Sequence, residues 1–262
     1  MTKQINLRLH IVDDHIVREG ISGINRIIEE KGVNGNIAGG IGVQSYIPKE
    51  QHRKTVDLDF SLLWGGSSEE FRSIITPLAK YLESAGYKIE VQKKDCAYEI
   101  RVIEDKKDDS LLIQHKIRNT KNFEKNRKSL DREMQNQRIL SREGLIYRVT
   151  SPEDLVLQKT NRMLTFLESY EGLKLPEGDA MDKIKERAEA IRAKVLQHHA
   201  NVDPTEVARM RLLFDCGDIK GLAHYAGLNK GYFAEGLKDW ADTKDRQNKF
   251  YATLDKLEVQ LR

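Results

Sequence analysis

The stretch that most constrains the fold is Arg53-Lys54-Thr55-Val56-Asp57-Leu58-Asp59-Phe60, which follows the pair Gly39-Gly40 by a dozen residues. Residues two apart on a strand point to the same side. Asp57 and Asp59 therefore present two carboxylates about 7 Å apart on one face, while the alternate apolar residues pack on the other. Such a strand belongs to a sheet with one covered and one polar face, and the carboxylate spacing suits shared coordination of Mg²⁺.

The glycine pair predicts a turn between a strand and a helix. Asn36-Ile37-Ala38 reads as a short strand, and Ile41 to Tyr46 reads as the first turns of a helix whose N–H groups face a phosphate. An Asp-x-Asp pair alone is common on solvated strands, and a Gly-Gly pair alone is common in turns. Their order, their separation and the polar run Arg53-Lys54-Thr55 together predict a metal-triphosphate site.

These residues resemble a known family. Gly-Gly followed by Arg-x-Thr-x-Asp-Leu-Asp-Phe resembles the opening motif of polymerase-β-type nucleotidyltransferases, in the form found in the AbiEii/MenT toxins of bacterial toxin-antitoxin systems. Ser151-Pro152-Glu153-Asp154-Leu155-Val156-Leu157-Gln158-Lys159 is similar to that family's Pro-Glu-Asp-Leu-x-x-x-Lys helix. Arg211-Leu212-Leu213-Phe214-Asp215-Cys216-Gly217-Asp218-Ile219 resembles its Arg-x-x-x-Lys-Asp-x-x-Asp run more loosely, with Phe214 in place of the usual lysine.

The resemblance, which spans residues 37–221, implies an α/β fold. It consists of a polymerase-β-type core with a mixed sheet, followed by an α-helical C-terminal domain, and we place the boundary between residues 1–148 and 149–262. The implied site residues are the metal ligands Asp57 and Asp59, the nucleotide-binding residues Gly39, Gly40, Arg53, Thr55 and Lys159, and the catalytic residues Asp57, Asp59, Lys159 and Asp215.

Each cationic candidate also has a structural interpretation. Arg53 and Lys54 are also typical of a loop exposed to water, and Lys159 of a helix surface. Many enzymes of the superfamily use a third carboxylate, but the strand where it is expected, Ile113 to Arg118, contains no acid. Glu99 and Asp215 are the two candidates to replace it. The remaining alternatives are an enzyme with two acids or a site that binds without turnover.

The implied activity is transfer of a nucleoside monophosphate from an NTP to an RNA acceptor, with a tRNA 3′ end as the expected acceptor and Mg²⁺ as the cofactor. The chain would then be the toxin of a pair and would have a cognate antitoxin protein as partner. Two alternatives remain open: transfer to a protein or small hydroxyl compound, and a nucleotide- or RNA-binding module without turnover.

Charge is uneven along the chain, although 44 basic and 41 acidic side chains nearly cancel. The stretch from Lys116 to Arg148 has a clear basic excess, which can neutralise phosphates of an RNA. The alternative is a solvated, partly mobile connection. Only Phe123 and Tyr147 interleave with the charges, so base stacking is not implied.

Composition predicts a soluble, intracellular protein without disulfides. Cys96 and Cys216 are the only cysteines, which is typical of a reducing cytoplasm, and each is expected to be a buried small apolar residue. No apolar run approaches the length of a membrane span, and the N-terminus lacks an apolar signal core. The pair His198-His199 is not expected to bind a metal, because adjacent helical residues diverge by about 100°.

Apolar periodicity and capping residues predict the remaining elements. In the first half we expect helices at 14–31 and from the Ser67 cap to residue 84, strands at 87–91, 98–103 and 111–117, and a turn at 105–109. In the second half we expect helices from Pro152 and from residues 179 to 199, a helix start at Asp203-Pro204, a loop at 171–178, and caps at Asn229 and Asp242.

Overall fold

The computed structural model describes residues 14–53, 55, 57–63, 68–94, 97–104, 107–115, 123–142, 144–197 and 202–262. These residues form two compact units. The sheet unit comprises the described residues of His10–Ser45 and Lys54–Ser151, and the helical unit comprises those of Tyr46–Arg53 and Pro152–Arg262. The expected α/β class with a mixed sheet is confirmed, and the boundary at residue 148 remains a prediction.

Within the described residues, the sheet unit contains a mixed sheet of seven strands. Their bounds are β1 Asn34–Ile37, β2 Asp57–Leu63, β3 Lys88–Lys94, β4 Ala97–Glu104, β5 Lys107–His115, β6 Arg138–Arg142 and β7 Leu145–Val149. The order across the sheet is β3-β4-β5-β2-β1-β7-β6. β2 pairs with β5 in parallel and β1 with β7 in parallel, whereas the other neighbours are antiparallel. The strand that carries the paired aspartates is therefore central.

Four helices accompany the sheet: α1 Asp14–Lys31, α2 Gly39–Gln44, α3 Ser68–Ser84 and α4 Phe123–Gln135. The predicted helix at 14–31 is confirmed, since its isoleucines are buried and Gly32 after its end has a φ of 61°. α1 and α3 pack on each other, and α3 also contacts β3 and β4. The predicted cap Ser67 lies outside the described residues.

The predicted strands are present with shifted ends. β5 begins at Lys107, so the predicted turn at 105–109 is too long, and its residues Lys107 to Asp109 are paired in the sheet. Lys107 to Asp109 form strand structure despite their charges because β4 extends to Glu104 and supplies a pairing partner for each of them. The predicted end of β5 at Ile117 lies outside the described residues.

The helical unit contains α5 Pro152–Ser169, α6 Met181–Gln197, α7 Pro204–Tyr225, α8 Lys230–Trp240 and α9 Lys244–Lys256. α5 contacts α7, α8 and α9, and α6 packs on α7. The caps Asp203 and Asn229 are confirmed, because their side chains accept hydrogen bonds from the N–H groups of Thr205 and Tyr232. The predicted cap Asp242 is wrong: the hydroxyl of Thr243 caps α9 instead, accepting from the N–H of Arg246.

The described part of the basic stretch is regular structure, since it forms α4, β6 and β7. The alternative of a mobile connection is therefore wrong for these residues. Tyr147 is buried and donates a hydrogen bond to the hydroxyl of Ser45, which leaves its ring no role in base stacking. Cys216 is buried, as predicted, whereas Cys96 and His198-His199 lie outside the described residues. Among the described helices, none has the length and apolar character needed to cross a membrane.

Candidate functional site

Gly39 and Asp59, twenty positions apart, are in direct contact in the sheet unit. Gly39 has a φ of 60°, and a Cβ added to it would lie 2.6 Å from Cγ and 2.8 Å from Cβ of Asp59. The Asp59 side chain therefore occupies the space that any other residue at position 39 would need. The contact is supported by the backbone, because the N–H of Ala38 donates to the carbonyl of Asp59 over 2.9 Å.

The helix after the glycines differs from the predicted one. α2 begins at Gly39, two residues before the expected start at Ile41, and it has six residues. Its first intrahelical bond runs from the N–H of Gly42 to the carbonyl of Ala38. A helix this short adds little dipole, so close backbone approach is the property that the glycines supply here. Gly40 is buried, and α2 packs on β2.

Asp57 and Asp59 are both half-buried, and they alternate with the buried Leu58 and Phe60. The predicted two-faced strand is therefore present. The pair suits Mg²⁺, because this ion is commonly bound by one or two carboxylates together with substrate phosphates and water. Within the described part of the chain, no group of three or more His, Cys, Asp or Glu side chains is arranged to hold a metal. The candidate metal site thus consists of two acids beside a glycine.

Strand register decides where a third acid can lie. Asp57 pairs with Ser110 of β5, and Asp59 pairs with Leu112. Glu99 is the partner of Leu112 on the far side of β5, so two strand spacings, about 10 Å, separate its backbone from that of Asp59. Asp108 was not among the candidates predicted from the sequence. It precedes Ser110 by two positions on the strand next to β2, so its backbone is roughly 8 Å from that of Asp57 and farther from that of Asp59.

The charge of the Asp105–Asp109 run explains why Asp108 was missed. Five charged residues in a row predict a turn, and only the pairing of β4 with β5 shows that Asp108 is a strand residue opposite Ile103. Thr55, the predicted phosphate contact, is buried two positions before the start of β2. Lys54 lies outside the described residues.

The helical unit brings together Lys159, Asp215 and Arg53 with two residues that were not predicted as site residues, Arg162 and Asp218. The ammonium of Lys159 lies 3.1 Å from Oδ1 of Asp215 and 2.8 Å from Oδ2 of Asp218. The guanidinium of Arg162 donates to both oxygens of Asp215 over 2.7 and 2.5 Å. That of Arg53 donates to Asp218 over 3.0 to 3.2 Å. We call these five residues the ion-pair cluster.

The cluster is a fixed electrostatic unit. Burial alone would raise the pKa of Asp215, but Arg162 and Lys159 outweigh burial and hold this pKa well below its ordinary range. Burial likewise opposes the effect of Arg53 and Lys159 on the pKa of Asp218, which is also lowered. A carboxylate whose pKa is lowered in this way is a weak proton acceptor, which counts against Asp215 as a general base. Lys159 is buried, so its interpretation as a surface lysine is wrong.

Phe214 has a defined place in the cluster. Its ring lies under the guanidinium of Arg53, with 4.9 Å between the guanidinium carbon and the ring centroid. This stacked arrangement supports the arginine from one face while Asp218 binds its edge. Arg53 is thus held in place and is not the water-exposed loop residue of the alternative interpretation.

The spacing of the cluster residues carried a signal in the sequence. Asp215 and Asp218 are three residues apart on α7, as are Lys159 and Arg162 on α5, and residues three apart share a helix face. Two basic and two acidic residues at this spacing indicate facing helices. Which helix faces which is set by packing, and the structure shows that α5 contacts α7.

The start of α5 is anchored by its own acids. Oε1 of Glu153 accepts a hydrogen bond from the N–H of Asn229 over 2.7 Å, and Oδ2 of Asp154 accepts one from the hydroxyl of Tyr232 over 2.6 Å. Both acids are buried. The Pro-Glu-Asp segment therefore fixes α5 against α8, and this contact orients the helix that carries Lys159.

Comparison with solved structures finds distant similarity over most of the chain. An antigenic nucleotidyltransferase-like protein from Paracoccidioides brasiliensis is 10% identical, with 96% of each chain covered and a TM-score of 0.48. The CD-NTase CdnG of Bradyrhizobium diazoefficiens, solved in complex with GTP, is 11% identical, with 94% of this chain and 95% of that chain covered and a TM-score of 0.26. The antibiotic-resistance factor ANT(2'')-Ia is 14% identical, with 71% of this chain and 98% of that chain covered and a TM-score of 0.36.

No protein-family model and no curated protein sequence matches the chain. The similarity to the solved structures is loose, with TM-scores below 0.5. The chemistry of the site therefore follows from the contacts of this chain's own residues.

Proposed function

We propose that this chain is a Mg²⁺-dependent nucleotidyltransferase that moves a nucleoside monophosphate from an NTP to an RNA acceptor. The contact between Gly39 and Asp59 carries the proposal. It brings the Asp59 carboxylate directly against the backbone at Gly39, so that a metal ion bound by Asp59 would lie beside the turn that leads into α2. Asp57, on the same face of β2, supplies the second carboxylate.

In this proposal each residue has a defined task. Mg²⁺, when bound by Asp57 and Asp59, supplies positive charge to the triphosphate and to the departing pyrophosphate. Gly39 makes room for the Asp59 carboxylate, Gly40 lets the triphosphate approach the backbone, and Thr55 donates a hydrogen bond to a phosphate oxygen. Nucleotidyl transfer needs little covalent chemistry from the protein, because positioning and charge stabilisation supply most of the rate.

The ion-pair cluster receives a different role from the one that the sequence implied. Lys159 and Arg53 are predicted triphosphate contacts, but both cations already bind buried carboxylates, Lys159 binding Asp215 and Asp218, and Arg53 binding Asp218. We therefore assign them primarily to holding α5, α7 and the 46–53 segment together. Asp108 replaces Asp215 and Glu99 as our candidate for the third carboxylate.

The acceptor and the biological role rest on the sequence resemblance. We propose a tRNA 3′ end as the acceptor and a toxin role opposed by a cognate antitoxin. The exposed residue Lys128 of the basic stretch supports an acceptor with a phosphate backbone.

One assay tests the activity. Purified protein is incubated with Mg²⁺, each of the four labelled NTPs in turn, and total tRNA, in parallel with Asp59→Asn and with the control Glu90→Gln, which removes an exposed acid from β3. We expect label in RNA for the wild type and the control and none for Asp59→Asn. Label in protein would reject RNA as the acceptor. Binding of the NTP without any transfer would reject catalytic turnover.

A further inference from the structure

The outer edge of β6 lies at one end of the sheet. Among the described residues, β6 pairs with β7 only, so its other side presents main-chain N–H and C=O groups to whatever lies beyond it. We propose that this edge is a docking site for an extended acidic segment of a partner protein, which adds to the sheet as an eighth strand. The proposal is independent of the proposed enzyme activity.

The hairpin geometry identifies the outward-facing groups. Two positions separate Arg142 from its register partner Leu145, and in a two-residue hairpin the closing pair exchanges both hydrogen bonds. Alternation then directs the main-chain groups of Ser141 and Ile139 away from β7. An observed contact agrees: the carbonyl of Ile146, the partner of Ser141, accepts a hydrogen bond from the side-chain amide of Asn25 over 2.6 Å and is therefore directed away from β6.

The same edge carries an exposed apolar patch. Ile139 is 68% exposed and Ile146 is 64% exposed, which makes them the two most exposed large apolar residues in the described part of the chain. Ile146 pairs with Ser141, two positions from Ile139, so both isoleucines lie on one face as diagonal neighbours. Exposed patches of this kind beside a free edge are typical of strand addition, in which main-chain bonds give affinity and side chains give specificity.

The basic residues of β6 indicate which kind of segment would bind at this edge. β6 begins with Arg138 and ends with Arg142. If two copies of the chain paired antiparallel about Leu140, each Arg138 would oppose the other copy's Arg142, and like charges directly opposite are destabilising. A strand with acidic residues at the two positions that pair with residues 138 and 142, and with apolar residues between them, matches the charge of β6 and covers Ile139. RNA would neutralise the arginines but would leave the isoleucines and the strand-edge groups without complementary partners, so a protein strand is the better fit.

Peptide selection on the full-length chain tests the proposal. A displayed library of random ten-residue peptides is selected on the wild type, and enriched peptides are measured on the variants Ser141→Pro and Ser141→Ala. Proline removes the outward N–H at a position where an edge strand tolerates it, whereas alanine keeps the N–H. We expect enriched peptides to alternate acidic and apolar residues, and to bind Ser141→Pro about two- to tenfold more weakly than Ser141→Ala, in line with the loss of a main-chain hydrogen bond.

A surface substitution gives a second test that does not depend on proline. Arg138→Glu should weaken the same peptides by about tenfold or more and should leave the unfolding transition unchanged, because Arg138 is exposed. Failure to enrich any peptide, enrichment of basic peptides, or equal binding to the proline and alanine variants would overturn the proposal.

Two other binding partners, a second copy of the chain and RNA, are tested by separate measurements. Sedimentation of the wild type at micromolar concentration should show a monomer, and a dimer that Ser141→Pro abolishes would assign the edge to a second copy. Fluorescence anisotropy with labelled single-stranded RNA should give the same affinity for Ile139→Thr and the wild type. RNA binding that this substitution weakens would assign the patch to RNA, and either result would reject the acidic strand.

Discussion

The side chain of Asp59 lies against the Cα of Gly39, in the space that a Cβ at position 39 would occupy. This contact joins the end of β1 and the start of α2 to the central strand β2, and it places one predicted metal ligand beside one predicted phosphate-binding residue. The proposed activity depends on this contact more than on any other.

Gly39→Ala should strongly reduce activity by displacing the Asp59 side chain. Alanine at a φ near 60° costs about 1 kcal/mol from backbone strain alone, and here its Cβ also displaces the carboxylate. Gly32→Ala is the matched control, because Gly32 has a φ of 61° with no atom within 4 Å of the added Cβ. We expect transfer to fall by at least about a hundredfold for Gly39→Ala and to be unchanged for Gly32→Ala, as measured in the tRNA labelling assay. Equal activities would show that the contact is not needed.

Asp108→Asn should reduce turnover, whereas Glu99→Gln should not. Asp108 is two residues from Ser110, the register partner of Asp57, whereas Glu99 lies on β4, one strand farther from β2. The backbone of Asp108 is therefore nearer to that of Asp57 than the backbone of Glu99 is. We expect a loss of about a hundredfold in kcat for Asp108→Asn and less than about threefold for Glu99→Gln, in line with loss of a metal ligand or base. A larger loss of kcat for Glu99→Gln than for Asp108→Asn would identify Glu99 as the third carboxylate. Full activity of both variants would indicate an enzyme with two acids.

Lys159→Met should destabilise the fold before it affects nucleotide binding. Methionine removes the hydrogen bonds that the ammonium donates to Asp215 and Asp218, while Arg162 and Arg53 remain their partners. Loss of hydrogen bonds to charged groups costs about 1.5–3 kcal/mol. Lys194→Met, at an exposed position of α6, is the control. Urea unfolding measures the difference in the free energy of unfolding. A stable Lys159→Met protein with a raised KM for the NTP would instead support the triphosphate contact that the sequence implied.

The free energy of unfolding should fall at low pH because the ion-pair cluster contains two aspartates with lowered pKa values. The pKa values of Asp215 and Asp218 are lower in the folded chain than the ordinary value of about 3.9 for an unfolded aspartate. Below that value the unfolded state binds protons that the folded state does not, so the free energy of unfolding falls as the pH drops through this range. In the double variant Asp215→Asn/Asp218→Asn the dependence between about pH 4 and 2 should be shallower than in the wild type. Urea titrations at several pH values provide the test, and equal slopes would contradict it.

Several elements could be predicted from local sequence because local physics fixes them. α1 follows from its isoleucine spacing and terminal glycine, and the α7 and α8 caps follow from Asp203 and Asn229. The α9 cap was placed one residue early, because Asp242 and Thr243 are both capable caps and only the chain geometry decides between them. Asp108 was missed because a charged run predicts a turn unless a neighbouring strand pairs with it.

Local sequence alone was enough to predict the two-faced strand at Asp57 to Phe60, the α/β class and the chemical types of the side chains available for a site. These properties depend on alternation and composition, which a linear chain displays. Three features became known only from the folded chain: the contact of Asp59 with Gly39, the binding of Lys159 to two buried aspartates, and the position of β6 at the edge of the sheet among the described strands. These contacts join residues far apart in the chain, and their partners are selected by packing and register, which no local pattern encodes.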